Sequence, residues 1–205
     1  GKISSGMFTL AGGSYALTLL VATVVIILLG MGMPTPAVYA LSAVLAAPAL
    51  LALKIELLPA HLFIVYFASM SAITPPVAVA AFAAASIARA NPIAVAFVAC
   101  RVGIVAFVLP LVFVNQPGLL LMGDAATVVT TIGFVLMGAM CLVIAFEGWL
   151  FGLVATPVRA GLFVLAAALL AQTGAARWGA AAAFLALVVW RYRRRSPASP
   201  RSAPA

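Results

Sequence analysis

Long apolar runs, separated by short groups of glycine, proline and polar residues, make up most of this chain. The first run, roughly 14–33, has the ~20 apolar residues that a helix needs to cross a bilayer. Two glycines and two prolines then follow within residues 30–36, where a regular helix cannot continue because proline lacks a backbone N–H. Apolar residues resume at once over 37–53. The pattern therefore predicts a helix that is broken inside the bilayer.

The second long run, 62–88, is interrupted near its centre by Ser71-Ala72-Ile73-Thr74-Pro75-Pro76. Each flank holds about twelve residues and would be about 18 Å long as a helix. That is too short to cross a hydrocarbon core of about 30 Å. Two half-length helices joined by a Pro-Pro turn are typical of a re-entrant hairpin, which enters and leaves on one side. A single kinked spanning helix is the alternative, since membrane helices tolerate proline.

Four further apolar segments follow, at 93–114, about 125–146, about 158–172 and about 178–190. The predicted fold is an all-α integral membrane protein, a polytopic helical bundle with a discontinuous helix and a re-entrant helical hairpin. We expect three parts along the chain. Residues 1–120 would hold the broken helix, the hairpin and the following helix, and 121–192 additional C-terminal membrane helices. Residues 193–205, rich in Ser, Pro, Ala and Arg, would form a disordered basic tail on the cytoplasmic side.

The composition supports a membrane environment. Apolar residues make up 67% of the 205 and charged residues only 7%, against about 25% charged in soluble domains. The net charge of +8 does not point to nucleic acid, because much of it lies in one C-terminal cluster and the rest is scattered between apolar runs. Such a cluster is typical of a cytoplasmic membrane end, and it could also attract anionic lipid headgroups. The clustered residues are Arg191, Arg193, Arg194, Arg195 and Arg201.

The two interruptions are the candidate binding elements. Lipid offers no hydrogen bonds, so non-helical backbone at membrane depth must face protein or a water-filled cavity. In secondary transporters, broken helices direct half-helix N-termini toward anions and unwound carbonyls toward cations. The alternative is that both breaks are kinks used only for packing. The candidate residues are Gly30, Gly32 and Thr35 in the first break and Ser71 and Thr74 in the second, with Pro75 and Pro76 shaping its tip.

Ionisable residues narrow the chemistry. The three acidic residues, Glu56, Asp124 and Glu147, all lie at predicted helix ends, so a coupling ion held here would be bound by carbonyls and hydroxyls, which suit Na⁺ better than H⁺. Arg101 would lie about 15 Å inside its helix. It is a candidate counter-charge for a carboxylate substrate, with snorkelling or a bond to a backbone carbonyl as the equal alternative. We expect no catalytic residue, no metal site and no cofactor.

At these two breaks the chain resembles a known family. The residues 29–39, read as Leu-Gly-Met-Gly-Met-Pro-Thr-Pro-Ala-Val-Tyr, and the residues 71–78, read as Ser-Ala-Ile-Thr-Pro-Pro-Val-Ala, are similar to the large permease subunit of tripartite ATP-independent periplasmic (TRAP) transporters. The version is nearest to fused permeases that work with TAXI-type binding proteins. The resemblance covers about residues 1–120 and continues more weakly to about 178.

The resemblance implies a Na⁺-coupled, elevator-type importer of small organic anions, often carboxylates, in the bacterial inner membrane. Its partners would be an extracytoplasmic TAXI-type solute-binding protein, membrane lipid, and the missing N-terminal half and small permease region of an inverted repeat. Half a repeat holds half a site, so this chain alone should not transport. The residues to which the family role in binding Na⁺ and substrate is carried over are Gly30, Gly32, Pro34, Thr35, Ser71, Thr74, Pro75 and Pro76.

Two rival functions follow from the same pattern. An intramembrane enzyme would need a nucleophile beside a base, and the sequence contains no recognisable pair of this kind. A channel or scaffold subunit would share the broken helices but would not couple transport to an ion. Orientation stays open, because a cytoplasmic C-terminus and an extracytoplasmic hairpin opening agree only if residues 158–190 do not cross the membrane twice.

Overall fold

The computed structural model describes residues 14–171 and 174–193, and over that part of the chain the secondary structure is helical apart from one isolated β-bridge. The predicted fold class, an all-α membrane bundle with a broken helix pair, is confirmed. The helices are α1 Tyr15–Leu29, α2 Thr35–Ala52, α3 Leu57–Met70, α4 Val79–Ala88, α5 Pro92–Val102, α6 Ile104–Phe113, a 3₁₀ turn Pro117–Leu120, α7 Ala125–Glu147, α8 Thr156–Leu170 and α9 Gly174–Arg193.

Two of the described helices, α2 and α7, are each long and apolar enough to cross a membrane alone. The pair α4 and α5 would count as a third span only if the two were taken together. The remaining apolar helices are shorter, at 10 to 15 residues for α1, α3, α6 and α8. A bundle with so many short helices needs partner elements at membrane depth, because exposed helix ends leave backbone groups unsatisfied in lipid.

The chain divides into two compact units, residues up to 132 and residues from 133 onward. In the first unit, α1, α2 and α3 pack on one another and α3 also packs on α6. The centre of this core is formed by fully buried large side chains, which contact one another across the helices because each helix is apolar on most of its surface. The largest of these are Phe63, Phe67, Ile26, Leu50 and Ile64.

Both predicted interruptions are present as breaks. The first separates α1 from α2 at residues 30–34, and the second separates α3 from α4 at residues 71–78. Pro75 and Pro76 lie in the second break, and the peptide bond between them is cis. The first turn of α4 bonds back to the start of this break, with Ala80 N donating to Ala72 O over 2.9 Å.

The hairpin is displaced from its predicted position. The helices that pack across a tight turn are α4 and α5, bent by 117° at residues 89–91, and not the two flanks of Pro75-Pro76. The turn is short because Arg89 adopts a left-handed conformation and Asn91 caps α5, accepting a bond from Ala94 N at 3.1 Å. The eight residues of the second break instead separate α3 from α4.

The prediction of one continuous helix over 93–114 is wrong, because Gly103 divides this segment into α5 and α6. A Cβ at Gly103 would lie 3.1 Å from Ala99 O and 3.4 Å from the Ile73 side chain. Glycine thus lets the end of α5 approach the second break closely. A glycine in an apolar run is a weak signal for a break, and the sequence pattern did not reveal this one.

In the second unit, α8 packs against α9. Three arginines bind backbone carbonyls there: Arg159 binds Ala145 O and Phe146 O at the end of α7, Arg177 binds Leu169 O, and Arg191 binds the turn after α7. The last contact places the end of α9 beside the start of α8, so these helices cross the membrane twice or not at all. Of the predicted tail, Arg193 ends α9, and residues 194–205 lie outside the described part of the chain.

Candidate functional site

The two breaks meet at a contact between Gly30 and Ser71. Ser71 Oγ donates to Gly30 O at 3.2 Å and to Ala68 O at 2.7 Å, and both residues are buried. A Cβ at Gly30 would overlap the Ser71 side chain. The C-terminal ends of α1 and α3 are thereby held together, although 41 residues separate the two contacting positions in the sequence.

A cleft of about 390 Å³ opens beside this contact. One wall is the first break together with the start of α2, and the other is the beginning of the second break with the first turns of α4. Among the described residues, its lining contains one hydroxyl, from Thr35, and no ionisable side chain. The lining residues are Gly30, Gly32, Met33, Pro34, Thr35, Ala72, Val79, Ala80 and Ala83.

Helices α2 and α4 both begin at the cleft. Their N-cap residues, Pro34 and Ala78, make no side-chain hydrogen bond to the first turn. Some first-turn donors are already used, since Ala80 N donates to Ala72 O and Ala37 N to Pro34 O. The positive end of each helix dipole still favours a bound anion there. Ala78 has φ of 33°, a left-handed conformation that is strained for an L-residue with a side chain. This conformation turns the backbone from the second break into α4.

Gly32 occupies the exposed tip of the first break. Its φ is 82°, which favours glycine, and the nearest atom to an added Cβ would be the Val77 side chain at 3.8 Å. Space is therefore available for a side chain at Gly32, and the backbone conformation is the main obstacle to one. A non-helical turn at membrane depth can direct backbone oxygens into a cavity.

The predicted residues of the second break do not line the cleft. Ser71 lies behind it and holds the first break through Gly30 O. The Thr74 hydroxyl is part-buried and donates to Met70 O at 2.7 Å. Pro75 is half-buried and Pro76 exposed. The structure thus brings together Gly30, Gly32, Pro34 and Thr35 at the cleft and places the second-break residues beside and behind it.

Arg101 lies in the last turn of α5, where a cation is favoured by the helix dipole, and its side chain is exposed. The neighbouring Cys100 Sγ lies 3.4 Å from Ile73 O in the second break. The turn that carries Arg101 therefore adjoins the second break, but Arg101 is not among the residues that line the cleft.

A second, larger cavity of about 570 Å³ lies elsewhere in the first unit and is lined mainly by apolar side chains of α1 and α6. None of the predicted binding residues contributes to it. Its lining is Tyr15, Ala16, Leu19, Leu20, Thr23, Phe67, Phe107, Leu111 and Asn115.

Sequence reasoning missed five cleft residues, Met33, Ala72, Val79, Ala80 and Ala83. Their side chains are apolar, so no chemical motif marks these positions. The only available signal was the run of small residues after Pro76, which allows close approach of helices in membranes.

The comparison with protein families identifies the family to which the chain belongs. The family model described as "Tripartite ATP-independent periplasmic transporter, DctM component" matches residues 1–128, which include both breaks and the cleft. No curated protein matches the chain, and neither does a solved structure. The match spans well over half of the 205 residues. The chain therefore belongs to the DctM family, the large permease subunits of TRAP-type secondary transporters.

Proposed function

We propose that the complete permease imports a small organic anion, of carboxylate type, by symport with Na⁺ across the bacterial inner membrane. The observation that carries the proposal is the cleft between the two breaks. It combines the starts of two helices with neutral backbone and hydroxyl oxygens, and none of its described lining residues has an ionisable side chain. Such a surface can favour an anion at one point and a hard cation at another without a carboxylate that titrates.

The cation is proposed to lie at the first break. Gly30 and Gly32 both lie in the turns of this break, Gly30 buried and Gly32 exposed. Thr35 adds a hydroxyl oxygen. Hard alkali cations prefer such oxygen ligands. Gly30 O already accepts from Ser71 Oγ at 3.2 Å and from Met33 N at 3.5 Å, so the proposed ligands are first the Thr35 hydroxyl and the main chain at Gly32.

The anion is proposed to lie toward the starts of α2 and α4. Both helices begin at the cleft, and each helix dipole is equivalent to about half a positive charge at its N-terminus. Arg101 remains a candidate counter-charge from the neighbouring turn. The other half of the inverted repeat is proposed to complete the enclosure of this pocket.

The partners follow from family membership. TRAP permeases work with a solute-binding protein and a small membrane subunit. We propose that this chain's binding protein is of the TAXI type, and that the small-subunit helices and the first half of the repeat are supplied in the same or another polypeptide. The proposed role is transport and not catalysis.

The test uses the full-length permease with its binding protein in proteoliposomes. Gly32→Leu should abolish Na⁺-driven uptake, because a leucine at φ of 82° distorts the turn and projects toward the cleft. Gly161→Leu is the control, since Gly161 lies in α8 and an added Cβ would meet nothing within 4 Å.

A channel or scaffold subunit is the competing function. It predicts flux or assembly that does not depend on Na⁺. Uptake at an equal rate when K⁺ replaces Na⁺ on both sides would falsify the symport proposal. Uptake of a neutral solute in preference to any anion would remove the anion part alone.

A further inference from the structure

One end of the second unit carries an unusual concentration of exposed aromatic and basic side chains. The turn between α7 and α8 and the last turn of α9 lie together there. We call this surface the aromatic–arginine collar and define it by Trp149, Leu153, Trp190, Arg191, Tyr192 and Arg193. It lies outside residues 1–128, so family membership assigns it no role.

Arg191 builds the collar. Its Nη1 donates to Leu150 O at 3.1 Å and to Gly152 O at 3.3 Å, and its Nη2 donates to Leu153 O at 3.0 Å. Three of the five N–H donors of the guanidinium are thus used within the described residues, and two remain for an acceptor outside the protein. Carbonyls orient the guanidinium without cancelling its charge. The guanidinium is therefore held in position and keeps its positive charge.

The turn that Arg191 binds is itself well ordered by backbone contacts. Leu150 N donates to Gly152 O at 2.9 Å, and Val154 N donates to Gly148 O at 2.8 Å. The ring of Phe151 packs edge-on against Tyr192 with centroids 5.7 Å apart. The turn and the end of α9 consequently form one continuous surface.

The apolar parts of this surface face outward. Leu153 is 88% exposed, Trp149 58% and Tyr192 59%. Trp and Tyr with one apolar and one polar edge are the residues enriched at the headgroup level of a bilayer. An isolated apolar side chain as exposed as Leu153 at a tight turn is suited to insertion among acyl chains.

The charge of the surface selects the lipid. Over residues 133–193 the sequence has four arginines and one acidic residue, Glu147. Arg193 is exposed at the collar, and the sequence continues with Arg194 and Arg195. We propose that the collar binds the headgroups of anionic phospholipids, with Arg191 and Arg193 pairing with lipid phosphate while Trp149, Leu153 and Trp190 enter the interface.

The same helix places a natural contrast at its other end. Arg177 lies fourteen residues before Arg191, about 21 Å along α9. It is bonded to Leu169 O at 3.0 Å and stacked on the Phe134 ring at 4.4 Å. A headgroup bound at the collar should therefore lie far from Arg177, which gives the proposal a positional test.

The experiment uses the full-length permease in nanodiscs of phosphatidylcholine that contain phosphatidylglycerol with a photoreactive headgroup. Crosslinked peptides should map to residues 148–154 and 190–193. Arg193→Gln should lower the phosphatidylglycerol affinity at this site about fivefold, because a basic residue near an anionic surface contributes ~1 kcal/mol. Arg89→Gln, which removes an exposed cation of the first unit, should leave the crosslink at these residues unchanged.

Three results would overturn the proposal. Crosslinks confined to other segments would place the lipid elsewhere. Equal crosslinking by a photoreactive phosphatidylcholine would show that the collar does not select for charge. An unchanged yield in Arg193→Gln, with the variant's melting temperature equal to the wild type, would show that Arg193 does not bind the headgroup.

Discussion

Ser71 and Gly30 form a hydrogen bond of 3.2 Å between two helix breaks, at a place where only glycine leaves room for the serine side chain. The contact makes the two breaks one packed element. Movement of the first break relative to the second would have to open this buried packing contact and break the bond to Gly30 O, although Ser71 Oγ would keep Ala68 O as an acceptor. We therefore expect the ends of α1 and α3 to move together during transport.

Gly30→Ala should destabilise the permease by about 1–3 kcal/mol, as overpacking of a tight contact usually does. Combining it with Ser71→Gly should restore most of the loss, because the atoms that clash with the new Cβ are those of Ser71. Thermal unfolding in detergent and uptake in proteoliposomes measure the two effects. Gly161→Ala is the matched control and should be neutral or mildly stabilising, since its Cβ meets nothing within 4 Å.

If the double variant is no more stable than Gly30→Ala alone, the close approach of these two residues does not explain the glycine. A neutral Gly30→Ala would lead to the same conclusion.

Thr35 and Thr74 offer a matched pair for locating the ion. Thr35 lines the cleft, whereas the Thr74 hydroxyl is bonded to Met70 O at 2.7 Å. Thr35→Val should raise the Na⁺ concentration for half-maximal uptake about tenfold, roughly the value of one lost polar contact. Thr74→Val should have a smaller effect. A larger effect of Thr74→Val would move the ion to the second break.

Tyr39 and His61 join α2 to α3 through a bond of 3.0 Å between Tyr39 Oη and His61 Nδ1. Tyr39→Phe should lower stability by about 1 kcal/mol, the usual net value of a hydrogen bond. His61→Phe should lower stability by a similar amount, and the double variant should lose less stability than the sum of the two single losses. A double-mutant cycle by thermal unfolding measures this coupling, and strictly additive losses would show that the bond contributes nothing to stability.

Asp124 immediately precedes α7 and accepts hydrogen bonds from Thr127 Oγ1 at 2.6 Å and from Thr127 N at 3.2 Å. These bonds hold the pKa of the Asp124 carboxyl below its ordinary value. A depressed folded-state pKa means that the cap stabilises the fold fully above the ordinary value of about 3.9 and loses this stabilisation as pH falls further.

The melting temperature of the wild type relative to that of Asp124→Asn should therefore fall as the pH is lowered below about 4. Asparagine keeps the cap geometry without titrating, so it serves as its own control for the loss of charge. A difference that stays constant over this range would show that the Asp124 pKa is not lowered by folding.

The sequence was sufficient for the features that depend on composition and on proline. The membrane class follows from the apolar runs, and both breaks follow from Pro34 and from Pro75 with Pro76, because proline removes a helix donor wherever it stands. The N-cap position of Asp124 was also predictable, because an aspartate just before an apolar run is a common helix start. Each of these is a local effect of a residue on its own backbone.

The features that were missed depend on tertiary contacts. The turn at residues 89–91, the break at Gly103 and the alanine lining of the cleft all arise from what lies beside the residue in space. The sequence predicts Gly30 as a binding residue. Its contact with Ser71 joins positions 41 residues apart, so no local pattern could reveal that contact.

The cleft's walls are built largely from glycine, alanine and proline. Apart from the Thr35 hydroxyl, its polar character therefore resides in the main chain, which every amino acid shares. Substitutions at Ala72, Ala80 or Ala83 can narrow or widen the space without removing a peptide group. Laboratory evolution of such a permease toward larger or smaller substrates should thus proceed through size changes at these alanines, with the proposed ion ligands unchanged.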